Sequence, residues 1–152
     1  GNWPDLRWGE MENGEYSYAD GWCHGAPGIA LGRLGMLADG FEDTPVAFAA
    51  ATQLIQASSM NRVDHLCCGN AGRLSILFEL AQSNNDKVLA GELQHRIHAH
   101  LERKAKDGSY KYWWTGYPNV TLPALYQGST GIGYTLLRML APERLPNILL
   151  AR

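Results

Sequence analysis

Apolar residues recur at spacings of three and four in three short stretches: Ile29, Leu31, Leu34 and Leu37; Leu74, Leu77, Phe78, Leu80 and Ala81; Ile132, Leu136, Leu137 and Leu140. That period marks one face of an α-helix, so each stretch predicts a short helix of roughly three turns. Longer amphipathic patterns lie between them. Pro45–Ala57 carries Val46, Phe48, Ala49, Leu54 and Ile55. Asp86–Lys104 carries Val88, Leu89, Leu93, Ile97 and Leu101, with charged residues on the opposite face. Gly1–Asp20, with its Pro, Gly and Asn content, reads as largely irregular. Tyr110–Tyr126 is broken by Gly116, Pro118 and Pro123 and reads as a loop with room for a small hairpin.

Each short helix opens on the same signal. Gly25-Ala26-Pro27-Gly28, Gly69-Asn70-Ala71-Gly72 and Gly128-Ser129-Thr130-Gly131 are Gly-x-x-Gly pairs. One such pair is weak; three, each leading into a helix, form an internal repeat of stacked supersecondary units. The first glycine permits a sharp bend and the second a close approach of neighbouring helix starts. Pro27 suits a first helical turn, where its missing N–H costs nothing. Short apolar helices alternating with longer amphipathic ones predict an all-α chain, part of an α/α toroid (barrel) of inner and outer helices. An open α-solenoid obeys the same local logic.

Composition narrows the classes. The 152 residues are 45% apolar and 18% charged, with a formal net charge of −2, which excludes a disordered chain and a charge-rich coiled coil. The length suits one domain over residues 1–152, or part of a larger one. No basic excess points to nucleic acid, and no apolar run approaches the ~20 residues of a membrane span. With no export signal in the first residues, the expected location is cytoplasmic, a reducing compartment.

There the cysteines gain meaning. Cys23 lies two residues before one glycine pair, and Cys67 and Cys68 immediately precede the next. Equivalent loops of a repeat protein lie on the same side, so the three sulfurs are expected to converge near the starts of adjacent inner helices. Helix N-termini favour thiolates, and thiolates repel one another unless a cation joins them. Zn2+ accepts Cys sulfur and prefers four ligands; three protein ligands leave one corner for water or a substrate thiol. Such an electron-rich centre polarises a carbonyl poorly but holds a nucleophilic thiolate well. The competing reading, buried thiols that fill core, stays open on spacing alone.

These motifs resemble a known family. Trp22-Cys23-His24-Gly25-Ala26-Pro27-Gly28-Ile29, Cys67-Cys68-Gly69-Asn70-Ala71-Gly72 and Gln127-Gly128-Ser129-Thr130-Gly131-Ile132-Gly133-Tyr134 look like the lanthionine synthetase C-like cyclases. More closely, they resemble the C-terminal cyclase domain of bifunctional (class II) lanthipeptide synthetases. Asn2-Trp3-Pro4-Asp5-Leu6-Arg7 and Leu145-Pro146-Asn147-Ile148-Leu149-Leu150 extend it over nearly the whole chain. The resemblance implies an α/α toroid with one zinc at its mouth, held by Cys23, Cys67 and Cys68. It implies Michael addition of a peptide Cys thiolate to dehydroalanine or dehydrobutyrine, closing a lanthionine or methyllanthionine thioether. The partner would be a dehydrated precursor peptide. The family ring needs about twice this length, and its acid/base histidine and dehydratase domain lie upstream. The expectation is therefore a fragment, inactive in cyclisation by itself, that needs the upstream part of the synthetase and is able to self-associate through exposed inner faces. A non-catalytic zinc-containing thiol- or peptide-binding module of the same fold is the alternative. Other α/α toroids match less well: zinc prenyltransferases use mixed Asp, Cys and His ligands, and glycosidases need two carboxylates flanking a cleft.

Other residues have two readings each. His24, beside a ligand, is the candidate catalytic acid, against a side chain turned away from the metal. His65 either lines the same mouth or is a loop histidine. His95, His98 and His100 are expected on the solvated face of the 86–104 helix. Tyr110, Tyr112, Trp113, Trp114 and Tyr117 are expected to pack outside the helices, with peptide contact as the alternative. Arg33 and Arg73 are expected either to satisfy carbonyls inside the ring or to bind anions.

Overall fold

The computed structural model describes residues 2–40, 46–60, 62–112 and 121–150. Among these the fold is all-α: α1 (Ala26–Ala38), α2 (Val46–Ala57), α3 (Asn70–Ser83), α4 (Lys87–Asp107) and α5 (Ser129–Leu140). A short 3-10 turn (Leu6–Trp8) and isolated bridges, Pro4 to Tyr18 and Glu10 to Tyr16, fold the N-terminal segment back on itself. Pro45 and residues 113–120, with Trp113, Trp114 and Tyr117, lie outside the described residues.

The helices that follow the glycine pairs stand side by side: α1 packs on α3, and α3 on α5. The amphipathic helices cover them, α2 against α1 and α3, and α4 against α3. With neighbours on every side, α3 is buried nearly all round; Leu74, Ile76, Leu77 and Leu80 are almost wholly excluded from water. Each such side chain contributes roughly 1.5–3 kcal/mol. On α5, by contrast, Leu137 and Leu140 stay exposed.

The glycine pairs act through a shared contact. A Cβ on Gly28, Gly72 or Gly131 would lie 1.9, 2.1 or 1.8 Å from the carbonyl oxygen of Trp22, Leu66 or Leu125 respectively. Each of these carbonyls is six residues upstream, so every inner helix starts folded against its own preceding loop. The expected approach of neighbouring helix starts is met only at Gly131, where a Cβ would also come within 3.0 Å of the Leu66 Cβ. The expected sharp bend holds at Gly25, with φ of 102°; Gly69 and Gly128 have ordinary negative φ, and it is the crowded space that excludes a side chain there.

Backbone hydrogen bonds give the repeat its register. Asn70 N donates to Val63 O (2.9 Å) and Ser129 N to Leu122 O (2.8 Å). In the first repeat the Asn2 amide takes the place of this bond, accepting from Ala26 N (2.8 Å) and donating to Ala19 O (3.0 Å). Between repeats, Cys67 N donates to Tyr126 O (2.8 Å) and Cys23 N to Cys67 O (3.4 Å). Cys23, Cys67 and Tyr126 each stand five residues before their second glycine, so successive repeats are joined at the same position.

The sequence expectation for α4 is short at its C-terminus. Asp86 caps the helix, accepting from Val88 N and Leu89 N at 3.0 Å, but α4 runs on to Asp107 and stops at Gly108, which adopts the left-handed conformation (φ 76°). The expectation for His100 is wrong. His95 and His98 are exposed, with His98 paired to Glu102, whereas His100 is fully buried. Stepping four, four and three residues from Leu89 through Leu93 and Ile97 reaches His100, which continues the core stripe.

Candidate metal site

The loops before α1 and α3 carry the three cysteines, and the repeat register brings them together. The Sγ atoms of Cys23, Cys67 and Cys68 all lie within 4.8 Å of one another. Cys23 is exposed and the other two are half-buried, so one side of the cluster faces an approaching molecule. Tetrahedral zinc with bonds of ~2.3 Å separates its sulfurs by about 3.8 Å, a spacing compatible with sulfurs that all lie within 4.8 Å of one another. The donor set therefore fits a single thiophilic divalent ion with a fourth position left open. In the third repeat the equivalent of Cys67 is Tyr126, whose ring stacks on Trp22 at 5.3 Å with planes 2° apart, closing over the same end.

The thiols behave differently from the sequence expectation. Burial pushes the Cys67 thiol far up, and its hydrogen bond with Cys23 and the charges of both neighbouring thiols push it further. Burial and the charge of Cys23 likewise raise Cys68, against smaller lowering by a hydrogen bond with Cys67 and by the charge of Arg73. Burial first, and crowding of the thiols second, outweigh the helix-terminus effect, so a cation must displace protons to gather the three sulfurs.

The turn bearing Cys67 and Cys68 is anchored from behind. Asp64, fully buried, accepts at Oδ1 from Asn70 Nδ2 (2.8 Å) and from Arg103, with His100 Nδ1 at 3.3 Å. Its Oδ2 accepts from Lys111 N (2.7 Å), and its own N–H donates to Lys111 O (2.6 Å). Burial alone would raise this carboxyl, but hydrogen bonds from His100, Arg103, Lys111 and Asn70 hold it well below the usual carboxylate range. The His100 ring also stacks on Tyr110 at 5.3 Å. Tyr112 is buried beside Ile132 and Ala71, with Tyr110 packed against the same cluster, so these two aromatics sit at the starts of the inner helices α3 and α5 rather than outside the helices. His65 is neither ligand nor mouth residue. It is buried, burial lowers its pKa, and its Nδ1 accepts from Cys68 N at 3.4 Å, which supports the turn.

The front is polar. A cleft of about 540 Å³ takes in Cys23, Cys68, His24, Asp5, Arg7 and Arg62, and a second of about 390 Å³ takes in Cys23, His24, Trp3 and Trp22. His24, half-buried, lines both. Asp5 accepts from Arg7 Nη2 at 2.5 Å, and this pairing lowers its pKa to about 2. Arg33 sits 5.9 Å from the Trp3 ring centroid rather than in the cleft. Arg73 donates to the Asp20 carbonyl, one of the roles expected for it, and to the Asp20 carboxylate.

Asp64, Asp20 and Gly21 escape the sequence reading, because their partners lie many residues away and carry no local signal. His100 was legible in the α4 stripe.

A search of curated proteins and of solved structures finds no match. A family model described as lanthionine synthetase C-like protein matches residues 1–150; with all three glycine pairs and all three cysteines inside that span, the chain belongs to this family, whose chemistry is of the lanthionine-cyclase type.

Proposed function

We propose that Cys23, Cys67 and Cys68 hold one Zn2+ and that the chain is the C-terminal portion of the cyclase domain of a class II lanthipeptide synthetase, a single domain over residues 1–152 that completes a toroid with its upstream part. The convergence of three sulfurs from two repeats on one open-sided spot supports this reading. Bound zinc supplies a cationic centre on which a peptide Cys is stabilised as its thiolate at neutral pH. The chain's own residues do the rest. The clefts beside Cys23 receive the extended peptide, with Trp3 and Trp22 offering apolar walls and Asp5, Arg7 and Arg62 a polar rim. His24 is within the same clefts and is the proton donor of this reading. The balance is simple: the peptide thiol gives up its proton to His24, the resulting thiolate forms a C–S bond to the β-carbon of dehydroalanine or dehydrobutyrine, the C=C pair moves to the α-carbon, and His24 returns the proton there.

The reading places the protein in the cytoplasm with a dehydrated precursor peptide as partner, and the isolated chain as an inactive fragment. The test uses a peptide with one cysteine and one dehydroalanine. Cyclisation leaves its mass unchanged and removes its alkylatable thiol. The full reading frame is expected to consume the thiol and this chain alone to leave it intact. Turnover by this chain alone would refute the fragment reading; a full polypeptide that binds the peptide without consuming its thiol would establish the non-catalytic module instead. Changing His24 to Ala in the full polypeptide is expected to slow turnover by about 10²–10⁴-fold, and an unchanged rate would remove it from the mechanism.

A further inference from the structure

Aligned at the second glycine, the three repeats carry Ile29, Arg73 and Ile132 at one position. Ile132 is fully buried there, and so is Arg73. An isoleucine fills such a place at no electrostatic cost, while a guanidinium needs partners. Among the described residues those partners are on Asp20: Arg73 Nε donates to its carbonyl (3.2 Å) and Nη2 to its carboxylate (2.7 Å). Arg62 donates to the other carboxylate oxygen at 2.5 Å. Arg73 Nη1 is buried with no protein acceptor among the described residues, so the pair is not optimised for stability alone.

Asp20 opens the loop that carries Cys23. It bridges to Gly25, Gly21 N donates to His24 O at 3.0 Å, and Trp22 N donates to Cys67 O at 3.1 Å. The loop lies so close to the second motif that a Cβ on Gly21 would fall 2.8 Å from the Cys68 Cβ. One side of the loop thus rests on the Cys67-Cys68 turn and its start is clamped by Arg73, whose helix begins two residues after Cys68. The charges complement each other: two arginines and one aspartate leave +1 beside a divalent ion with three thiolates, which is −1.

We propose that Arg73 is a positioning residue of the metal site, setting through Asp20 the place of Cys23 against Cys67 and Cys68. The proposal rests on the three cysteines forming one metal centre. Arginine suits the task because its planar fork reaches carbonyl and carboxylate at once, which lysine does not.

The test strips the chain of metal, reloads it with Zn2+ or Co2+, and compares the unvaried protein with Arg73→Met, Arg73→Lys, Asp20→Asn and Arg138→Met. The last breaks the remote Arg138–Glu79 pair and controls for general destabilisation. Zinc affinity is read by competition with a chromophoric chelator and sulfur geometry by the cobalt–thiolate absorption band. Arg73→Met and Asp20→Asn are expected to weaken zinc binding by about 10–100-fold and to diminish the cobalt band, Arg73→Lys to recover part of both, and Arg138→Met to change neither. Affinity within about threefold of the unvaried protein, an equal loss in Arg138→Met, or failure of both the Arg73→Met and Asp20→Asn chains to fold would each overturn the clamp. Unvaried protein that takes up no metal would overturn the metal reading itself, and the clamp with it.

Discussion

Among single residues, Asp64 carries the sharpest consequence. Its carboxylate is buried and held by Arg103, His100, Asn70 and the Lys111 N–H, all behind the Cys67-Cys68 turn. Removing the charge leaves Arg103 buried opposite a neutral amide. Asp64→Asn is expected to cost about 3–5 kcal/mol at pH 7, measured by urea denaturation. The sign of its pH dependence follows from the shift. The folded pKa is depressed, so the contribution is fully present above the unfolded value of about 3.9 and is lost as pH falls towards the folded value. The gap between the two proteins should therefore narrow below about pH 4; a constant gap would place the effect elsewhere. This scale was also the least legible in sequence. Cys23, Cys67 and Cys68 stood out because few residue types ligate soft metals and their loops repeat. Asp64 and Asp20 look like ordinary loop carboxylates until α4 and α3 deliver Arg103 and Arg73 to them.

For the helices, periodicity and glycine spacing carried most of the information. Among the described residues the five α-helices fall where apolar spacing places them, α4 alone running a few residues further, and the N-cap at Asp86 is a local signal that needs no tertiary context. The cause of the glycine pairs was less visible, because it depends on carbonyls six residues upstream meeting the helix start in space. That contact yields a contrast between two glycines. Gly72→Ala would force a methyl within 2.1 Å of the Leu66 oxygen; a loss of about 1–3 kcal/mol or more is expected. Gly91, exposed in the second turn of α4, has open space around its Cβ position, and Gly91→Ala should stabilise by roughly 0.8–1 kcal/mol through helix propensity. Thermal or urea unfolding of both variants checks the pair. Similar effects at the two positions would mean that the repeat contact does not constrain the fold.

Across the whole molecule, the repeat is what turns distant sequence positions into one site. Stitching at equivalent residues places the loop of the first repeat on that of the second, where burial, and after it the neighbouring thiols, raise Cys67 and Cys68. Metal uptake should release protons, and affinity should rise with pH across the neutral range; pH-independent binding would place the ion on other ligands. The alternation of helices was readable from the chain because it follows from apolar periodicity, whereas the proposed toroid rests on family membership and has no local signature in the sequence. The central claim is that three sulfurs grip one ion, and X-ray absorption at the zinc edge tests it most directly. The account predicts one zinc per chain with three sulfur neighbours at ~2.3 Å and one lighter ligand, the sulfur signal falling when Cys23, Cys67 or Cys68 is replaced by Ala. A protein that binds no zinc, or binds it through nitrogen and oxygen alone, would contradict it.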